Sequence, residues 1–133
     1  MSAEGYSGTP LHKKLEFKPG FRIWVIAPPP NYPTLLAGAS DVQFLDDQDT
    51  DLDAIHLFAH SIEDLHQVRG LLGAIKQGGR LWISWAKKSS KLHNHVTEDH
   101  LRKTVLPLGW VDTKVCALDA DWSGLKFLKR KPK

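Results

Sequence analysis

The sequence predicts an α/β fold in three layers, built on a mostly parallel sheet that ends in an antiparallel hairpin. Two apolar runs, 54–59 and 81–86, contain no acidic residue, lysine or arginine and indicate strands buried on both faces. Between them, apolar residues recur at helical spacing, so the order strand, helix, strand predicts a βαβ unit with parallel strands. Near the C-terminus, residues 119–124 separate two further strand-like runs, a connection that suits a hairpin and is too short for a parallel crossover.

The composition is typical of a globular protein from a reducing compartment. The chain has 133 residues, of which 41% are hydrophobic and 25% charged, enough for one domain with its own core. Its one cysteine, Cys116, excludes an internal disulfide and a multi-cysteine zinc site. No stretch has the pattern of a signal peptide or approaches the roughly 20 apolar residues that span a bilayer. We therefore expect a cytoplasmic protein with no membrane partner.

We expect a single domain over 1–133, with an N-terminal arm at 1–8, an α/β core at 9–130 and a basic tail at 131–133. Unlike a disordered tail, the arm is poor in charge and leads directly into a helix-start signal. It is predicted to pack on the domain with the ring of Tyr6 at least partly buried, so that it covers a sheet edge or helps to line a crevice.

Charge is unevenly distributed, although the net charge is only +3. The stretch 41–64 has eight acidic residues and neither lysine nor arginine. The last eight positions hold five basic residues, Lys126, Lys129, Arg130, Lys131 and Lys133. A basic tail can bind nucleic acid, but short basic termini are more often solvated, so nucleic acid is disfavoured as a partner.

The first helix is predicted to be short. Thr9 is a suitable N-cap and Pro10 a suitable first helical residue. Leu11 and Leu15 lie four apart and therefore on one face, so the helix should run to about Phe17 and pack by that face.

The first strand, 21–27, is apolar on both faces and is followed by Pro28, Pro29 and Pro30. In nucleotide-binding α/β folds this turn is rich in glycine, and its backbone N–H groups contact the ligand. Proline has no N–H to donate. The proline turn therefore argues against nucleotide binding in the usual manner.

Two minor elements and an acidic loop come next. A short helix is predicted to start at Asn31 and a short strand at 42–45. The loop 46–53 alternates aspartates as a calcium loop does, but Leu52 stands where the turn glycine belongs and Phe58 where the bidentate glutamate belongs. A solvated acidic loop is the better interpretation.

The central helix is predicted to start at Ser61, which forms a capping box with Asp64, and to end at Gly78 and Gly79, before a strand that begins at Arg80. Its apolar stripe comprises Ile62, Leu65, Val68, Leu72 and Ile75. The remaining predicted elements are a helix capped by Thr97 and ended by Pro107 and Gly109, and strands at 110–118 and 125–129.

The succession of strand-like segments PGFRIWVIA, AIHLFAH, GGRLWISWA and LGWVDTKVCALD resembles the Rossmann-like domain of class I S-adenosylmethionine (SAM) methyltransferases, which also ends in an antiparallel hairpin. The resemblance covers most of 19–130. It implies a SAM site beside the first strand, with Asp46 or Asp47 in the position that holds the ribose. The sequence departs from the family where Pro28, Pro29 and Pro30 replace the glycines, and this disfavours SAM as a cofactor.

A second resemblance is more specific and runs nearly end to end. The chain is similar to a family of small bacterial proteins of unknown function. The segments that carry the similarity are YSGTPL at 6–11, KKL at 13–15, TED at 97–99, LGWVD at 108–112, KVCA at 114–117 and WSGLKF at 122–127. This resemblance implies a bacterial, single-domain, cytosolic protein and implies no activity.

Recognisable catalytic machinery is missing from the sequence. His93 and His95 could belong to a zinc site, but no further ligands are specified, so we expect no metal. Ser84 and Cys116 lie within predicted strands and Ser123 in a hairpin, so none has the tight turn of an activated nucleophile. No pair of carboxylates has a spacing that indicates general acid and base roles.

The candidate functional surface is the crevice at the carboxyl ends of the strands, where ligands bind on open α/β sheets. Trp85, Lys87 and Lys88 could hold an anion or a flat ring, although lysines that close a strand are commonly only solvated. The candidate ligand-binding residues are Tyr6, Asn31, Tyr32, Asp46, His60, Trp85, Lys87 and Lys88.

These observations favour a non-catalytic binding or regulatory module on a methyltransferase-like scaffold, with a protein or a small anionic ligand as partner. The alternative is a divergent SAM-dependent methyltransferase that meets its cofactor by another route.

Overall fold

The computed structural model describes residues 9–131 and contains one six-stranded sheet. The strands are β1 Arg22–Ile26, β2 Gln43–Leu45, β3 Leu52–Ala59, β4 Ile75–Ala86, β5 Trp110–Ala117 and β6 Trp122–Lys129. Their order is β2-β1-β3-β4-β6-β5; the first four are parallel, and β6 is antiparallel to both of its neighbours. The predicted fold class is confirmed, including the adjacent parallel strands β1, β3 and β4 and the antiparallel C-terminal hairpin.

Short helices cover both faces of the sheet. They are α1 Leu11–Lys14, α2 Tyr32–Leu35, α3 Val68–Leu71 and α4 Glu98–Val105, with 3₁₀ segments at Ile62–Gln67, Leu72–Ala74 and Leu106–Leu108. We call the face covered by α3, α4 and the 3₁₀ segments the helical face, and the face covered by α1 and α2 the N-terminal face. No helix among the described residues is long and apolar enough to cross a membrane.

The sheet core follows from the alternation of side chains along central strands. In β3, all eight residues are buried. Ile55 and Leu57 point to the helical face, whereas Ala54 and Phe58 point to the N-terminal face. Both faces of the central strands are therefore covered by apolar side chains, as expected for parallel strands inside a three-layer fold.

The boundary between the central helix and β4 was predicted wrongly. Helical structure ends at Ala74, and β4 begins at Ile75 instead of Arg80. The glycines lie in an irregular part of β4, where the pairing with β3 shifts register. A Cβ on Gly79 would lie 2.8 Å from the carbonyl oxygen of Asp53. Glycine is therefore required because two backbones approach closely, and not because a helix ends there.

The first helix starts later than predicted. Pro10 is its N-cap, no side chain caps it, and exposed Thr9 precedes it. The helix stops after Lys14, and Glu16 then has a left-handed backbone with φ of 61°. Leu11 and Leu15 are buried on one face, as predicted, whereas the expectation for Tyr6 and the arm falls outside the described residues.

The predicted capping box at Ser61 is present, and the predicted cap at Thr97 is part of a second capping box. Ser61 accepts from the backbone N–H of Asp64, and the Asp64 carboxylate accepts from that of Ser61. At α4, the Thr97 hydroxyl accepts from the backbone N–H of His100, and the His100 ring accepts from that of Thr97. These two caps fix the elements that follow the carboxyl ends of β3 and β4.

Candidate functional site

The carboxyl ends of β1 and β3 form the switch point of the sheet, because the chain goes from β1 to β2 on one side and to β3 on the other. In open α/β sheets a ligand commonly enters the crevice at this point. Here the residues that follow the two strands, Ala27 and His60, bond to each other: His60 Nε2–H donates to the Ala27 carbonyl oxygen at 2.8 Å. A side chain of the protein itself therefore bridges the switch point.

The backbone groups around this bridge are also paired within the chain. The His60 N–H donates to the Asp64 carboxylate at 2.7 Å. The His60 carbonyl oxygen accepts from the side-chain amide of Asn94. The Trp122 ring meets the His60 ring edge-on, with centroids 5.3 Å apart. The backbone N–H and the carbonyl oxygen of His60 therefore already have partners.

The turn after β1 offers little to a nucleotide. Three successive residues, Pro28, Pro29 and Pro30, have no backbone N–H. The Tyr32 N–H, which follows closely, donates to the Pro29 carbonyl oxygen at 3.0 Å. Backbone N–H groups that converge on the phosphates or the amino acid end of a nucleotide-like cofactor are the usual signature of such a site. The residues here do not fit SAM bound in that manner.

The loop of the β5–β6 hairpin closes the crevice from the other side through Asp119. Its carbonyl oxygen accepts from Lys87 Nζ at 2.7 Å, and one carboxylate oxygen lies 3.5 Å from the side-chain nitrogen of Asn31. The other carboxylate oxygen accepts from the N–H groups of Asp121 and Trp122, each at 2.8 Å. Asn31 and Lys87, both candidate ligand-binding residues, are thus brought together by Asp119.

Tyr32 lies in the core, where it forms a hydrogen-bonded chain with two other buried side chains. The Tyr32 hydroxyl is 2.9 Å from His56 Nδ1, and His56 Nε2 is 2.7 Å from the Ser84 hydroxyl. Burial lowers the pKa of His56 to about 3, so the ring is neutral at physiological pH. Burial also raises the pKa of the Tyr32 phenol above its ordinary range. Tyr32, His56 and Ser84 therefore form a neutral, buried hydrogen-bond network that stabilises the core and does not face a substrate.

A cavity of about 430 Å³ lies beyond the carboxyl end of β4, next to the start of α4. Its lining includes Trp85, which is 9% exposed, and the exposed Lys88, both of them predicted site residues. His93 also lines it and is held by a hydrogen bond from Nδ1–H to the Ala86 carbonyl oxygen at 3.2 Å. The cavity therefore combines an aromatic wall with the ammonium group of Lys88 and the imidazole of His93.

The cavity lining carries charges of both signs, with Lys88 and Arg102 positive and Glu98 and Asp99 negative. Arg102 pairs with Glu98 and Asp112, and the hydrogen bond from Arg102 to Asp112 raises the pKa of Arg102 and lowers that of Asp112. Asp99 lies 4.0 Å from the same guanidinium. Lys88 has no ion-pair partner among residues 9–131.

The remaining candidates are separate from the cavity. Asp46 is exposed beyond the end of β2, and Tyr6 lies outside the described residues. The roles of Asp119 and Asn94 and the contribution of α4 to the cavity were not predicted from the sequence. Of these, Asp119 had a sequence signal, since an aspartate in a short hairpin loop commonly bonds to backbone N–H groups further along the loop.

The histidines do not assemble a metal site in the described part of the chain. His93 and His95 are neighbours, with ring centroids 5.6 Å apart, but His100 belongs to the capping box of α4. Within residues 9–131, no group of three or more His, Cys, Asp or Glu side chains could hold a metal ion.

Solved structures similar to this chain include several methyltransferases. One is a SAM-dependent methyltransferase from Aquifex aeolicus, with a TM-score of 0.64 at 14% identity over 94% of this chain and 90% of that one. Another is magnesium protoporphyrin IX methyltransferase from Synechocystis with bound SAM, with a TM-score of 0.54 at 11% identity over 90% and 74%. The [4+2]-cyclase SpnF has a TM-score of 0.60 at 12% identity over 92% and 79%. These likenesses show a methyltransferase-like Rossmann fold.

The fold does not by itself assign a reaction, because the similar structures include both methyltransferases and a cyclase. No model of a known protein family matches the chain, and no curated protein matches its sequence. The resemblance to a small bacterial family of unknown function therefore stays a prediction.

Proposed function

We propose that this protein is a non-catalytic binding module on a methyltransferase-like scaffold. The observation that carries the proposal is the hydrogen bond from His60 to the Ala27 carbonyl oxygen, which bridges the switch point where a cofactor would enter. The proline turn supports it, because Pro28, Pro29 and Pro30 cannot donate backbone hydrogen bonds to a ligand.

The surface proposed to bind a ligand is the cavity beyond β4. Trp85 offers an aromatic wall, and Lys88 offers a positive charge that forms no ion pair among residues 9–131, beside the Glu98 and Asp99 carboxylates of the same lining. A small anionic ligand with an apolar or flat portion matches Trp85 and Lys88. The Trp85 ring would pack against the apolar or flat portion of the ligand, and the Lys88 ammonium would pair with its negative charge. A protein partner could present the same chemistry through an acidic side chain beside an aromatic one.

The second candidate function is that of a divergent SAM-dependent methyltransferase, which the fold of the similar structures favours. For the cofactor to occupy the switch point, the contact between His60 and Ala27 would have to open, and the groups released would have to find partners on the cofactor. This requirement makes the two candidates distinguishable by cofactor binding alone.

Calorimetric titration of the full chain with SAM and with S-adenosylhomocysteine tests the proposal. We expect no binding at micromolar concentrations of either compound. Micromolar binding that weakens in a Trp122→Ala or Asn94→Ala variant, both at the switch point, would overturn the proposal in favour of the enzyme. A Lys91→Met variant, which changes an exposed lysine away from the cavity lining, is the matched control.

A further inference from the structure

A cluster of charged side chains lies on the N-terminal face, toward the end of β4 opposite the crevice. Its centre is the Glu16 carboxylate, one oxygen of which accepts from Arg80 at 3.3 Å and from Lys126. Lys114 stands beside them on β5 and donates to the Lys14 carbonyl oxygen at 2.7 Å. Arg80, Lys114 and Lys126 together contribute three positive charges, whereas Glu16 contributes one negative charge.

Two of the three cations, Lys126 and Arg80, are held in place by the sheet and are largely shielded from water, whereas Lys114 is half-buried. The side chains of Lys126 and Arg80 are only 11% and 15% exposed. Arg80 Nε is buried and has no hydrogen-bond partner among the described residues. Ionised groups with so little water need a counter-charge, because desolvation disfavours them strongly.

The strand register also places two of these positive charges opposite each other. Lys114 of β5 is paired directly with Lys126 of β6. Like charges opposite each other on neighbouring strands repel, so this pair is unfavourable unless an anion lies between them. The neighbouring cations lower the pKa of Glu16, chiefly through the hydrogen bond from Lys126, so this carboxylate is ionised at neutral pH. With Glu16 ionised, the cluster still has a net charge of +2.

We propose that the cluster of Glu16, Arg80, Lys114 and Lys126 is a binding site for a phosphate group. A phosphate dianion would neutralise the remaining charge of +2, which a single carboxylate would not. Its several oxygens suit the separate donors that two ammonium groups and a guanidinium supply. Glu16, whose side chain is 35% exposed, marks the side that faces solvent.

The site is independent of the cavity and of the switch point, since none of its four side chains contributes to either. It can therefore be tested whatever the outcome of the cofactor titration. The probe is inorganic phosphate, added to the full chain at the same ionic strength as a chloride control. We expect the midpoint of thermal unfolding to rise by several degrees at phosphate concentrations well above Kd, because a ligand that binds only the folded state stabilises it.

Variants of the cluster separate a binding role from a structural one. Lys114→Met should weaken phosphate binding by about fivefold, whereas the matched control Lys91→Met should leave it unchanged. Glu16→Gln should have the opposite effect and tighten phosphate binding, because it removes the negative charge nearest the anion. A merely structural cluster would respond to neither variant with a change in phosphate affinity.

Two further arms identify the source of the phosphate. Tighter binding of glycerol phosphate than of inorganic phosphate would support the site and indicate a phosphate ester, and equal binding would support it with the free ion as ligand. The proposal is overturned if phosphate gives no shift beyond the chloride control, or if acetate at matched ionic strength gives the same shift as phosphate.

Discussion

The two faces of the sheet are stabilised in different ways. The helical face packs apolar side chains from β3, β4 and β6 against the short helices, as Leu57, Ile83 and Phe127 illustrate. The N-terminal face also has an apolar cluster, but hydrogen bonds pass through it: Tyr32 to His56, His56 to Ser84, and Trp82 Nε1–H to the Leu15 carbonyl oxygen at 3.1 Å.

The difference follows from what each face must hold. The helices α1 and α2 have four residues each and cannot be stable by themselves. Hydrogen bonds from the sheet to Leu15 at the end of α1 and to Tyr32 in α2 fix these short elements in one position, which apolar contact alone specifies poorly. The helical face, with a larger buried cluster, depends mainly on the area removed from water.

The largest expected effect is on the helical face. Leu57 is completely buried in β3, so Leu57→Ala should lower the free energy of unfolding by about 2–5 kcal/mol, from lost burial and from the cavity left behind. Urea denaturation measures this. Val115→Ala on edge strand β5, where the side chain is 53% exposed, is the control and should change stability by about 0.5 kcal/mol or less. A loss below about 1 kcal/mol for Leu57→Ala would contradict the dependence of this face on burial.

The second effect concerns pH and the N-terminal face. Burial lowers the pKa of His56 to about 3, whereas an unfolded histidine has a pKa of about 6.5. Between these values the unfolded chain binds a proton that the folded chain does not, so stability falls as pH falls. From pH 6.5 to 4.5 the free energy of unfolding should drop by about 2 kcal/mol from this residue.

Denaturation at several pH values, compared between the unaltered chain and His56→Gln, measures the contribution. The variant is expected to be less stable at pH 7 but to have a flatter pH profile in this window. His66→Gln, which changes an exposed histidine, should keep the original slope. If His56→Gln retains that slope as well, the buried histidine does not determine the pH dependence.

The sequence predicted the elements that depend on burial of a local apolar run, but not those that depend on contacts between distant residues. Apolar runs such as 54–59 and 81–86 identified the central strands, because burial on both faces needs continuous apolar residues. The segment that includes Ile75 was assigned to a helix, since its apolar spacing fits a helix as well as an irregular strand. The segment is a strand with two glycines because its backbone at Gly79 closely approaches the backbone of Asp53, a residue distant in sequence.

The candidate site was harder to predict for the same reason. Pro28, Pro29 and Pro30 indicated from sequence alone that the turn after β1 has no donors. The bond between His60 and the Ala27 carbonyl oxygen could not be predicted, because it involves a backbone atom 33 residues away in sequence. Trp85 and Lys88 were identified because they close a central strand, but the partners that complete their cavity come from α4 and the loop before it.

The smallest expected effect isolates one hydrogen bond on the N-terminal face. Tyr32→Phe keeps the ring and its packing but removes the hydroxyl, which leaves His56 Nδ1 buried without a partner. The expected loss is about 1–2 kcal/mol, the desolvation cost of an unsatisfied polar atom.

The Ser84→Ala variant removes the other hydrogen bond of the same imidazole ring and leaves His56 Nε2 without a partner. Urea denaturation of both single variants and the double variant gives a coupling energy, which should be at least about 0.5 kcal/mol because the two bonds share one imidazole ring. Additive losses would show that the bonds act separately, and a loss near zero for Tyr32→Phe would show that the N-terminal face, like the helical face, is stabilised by burial alone.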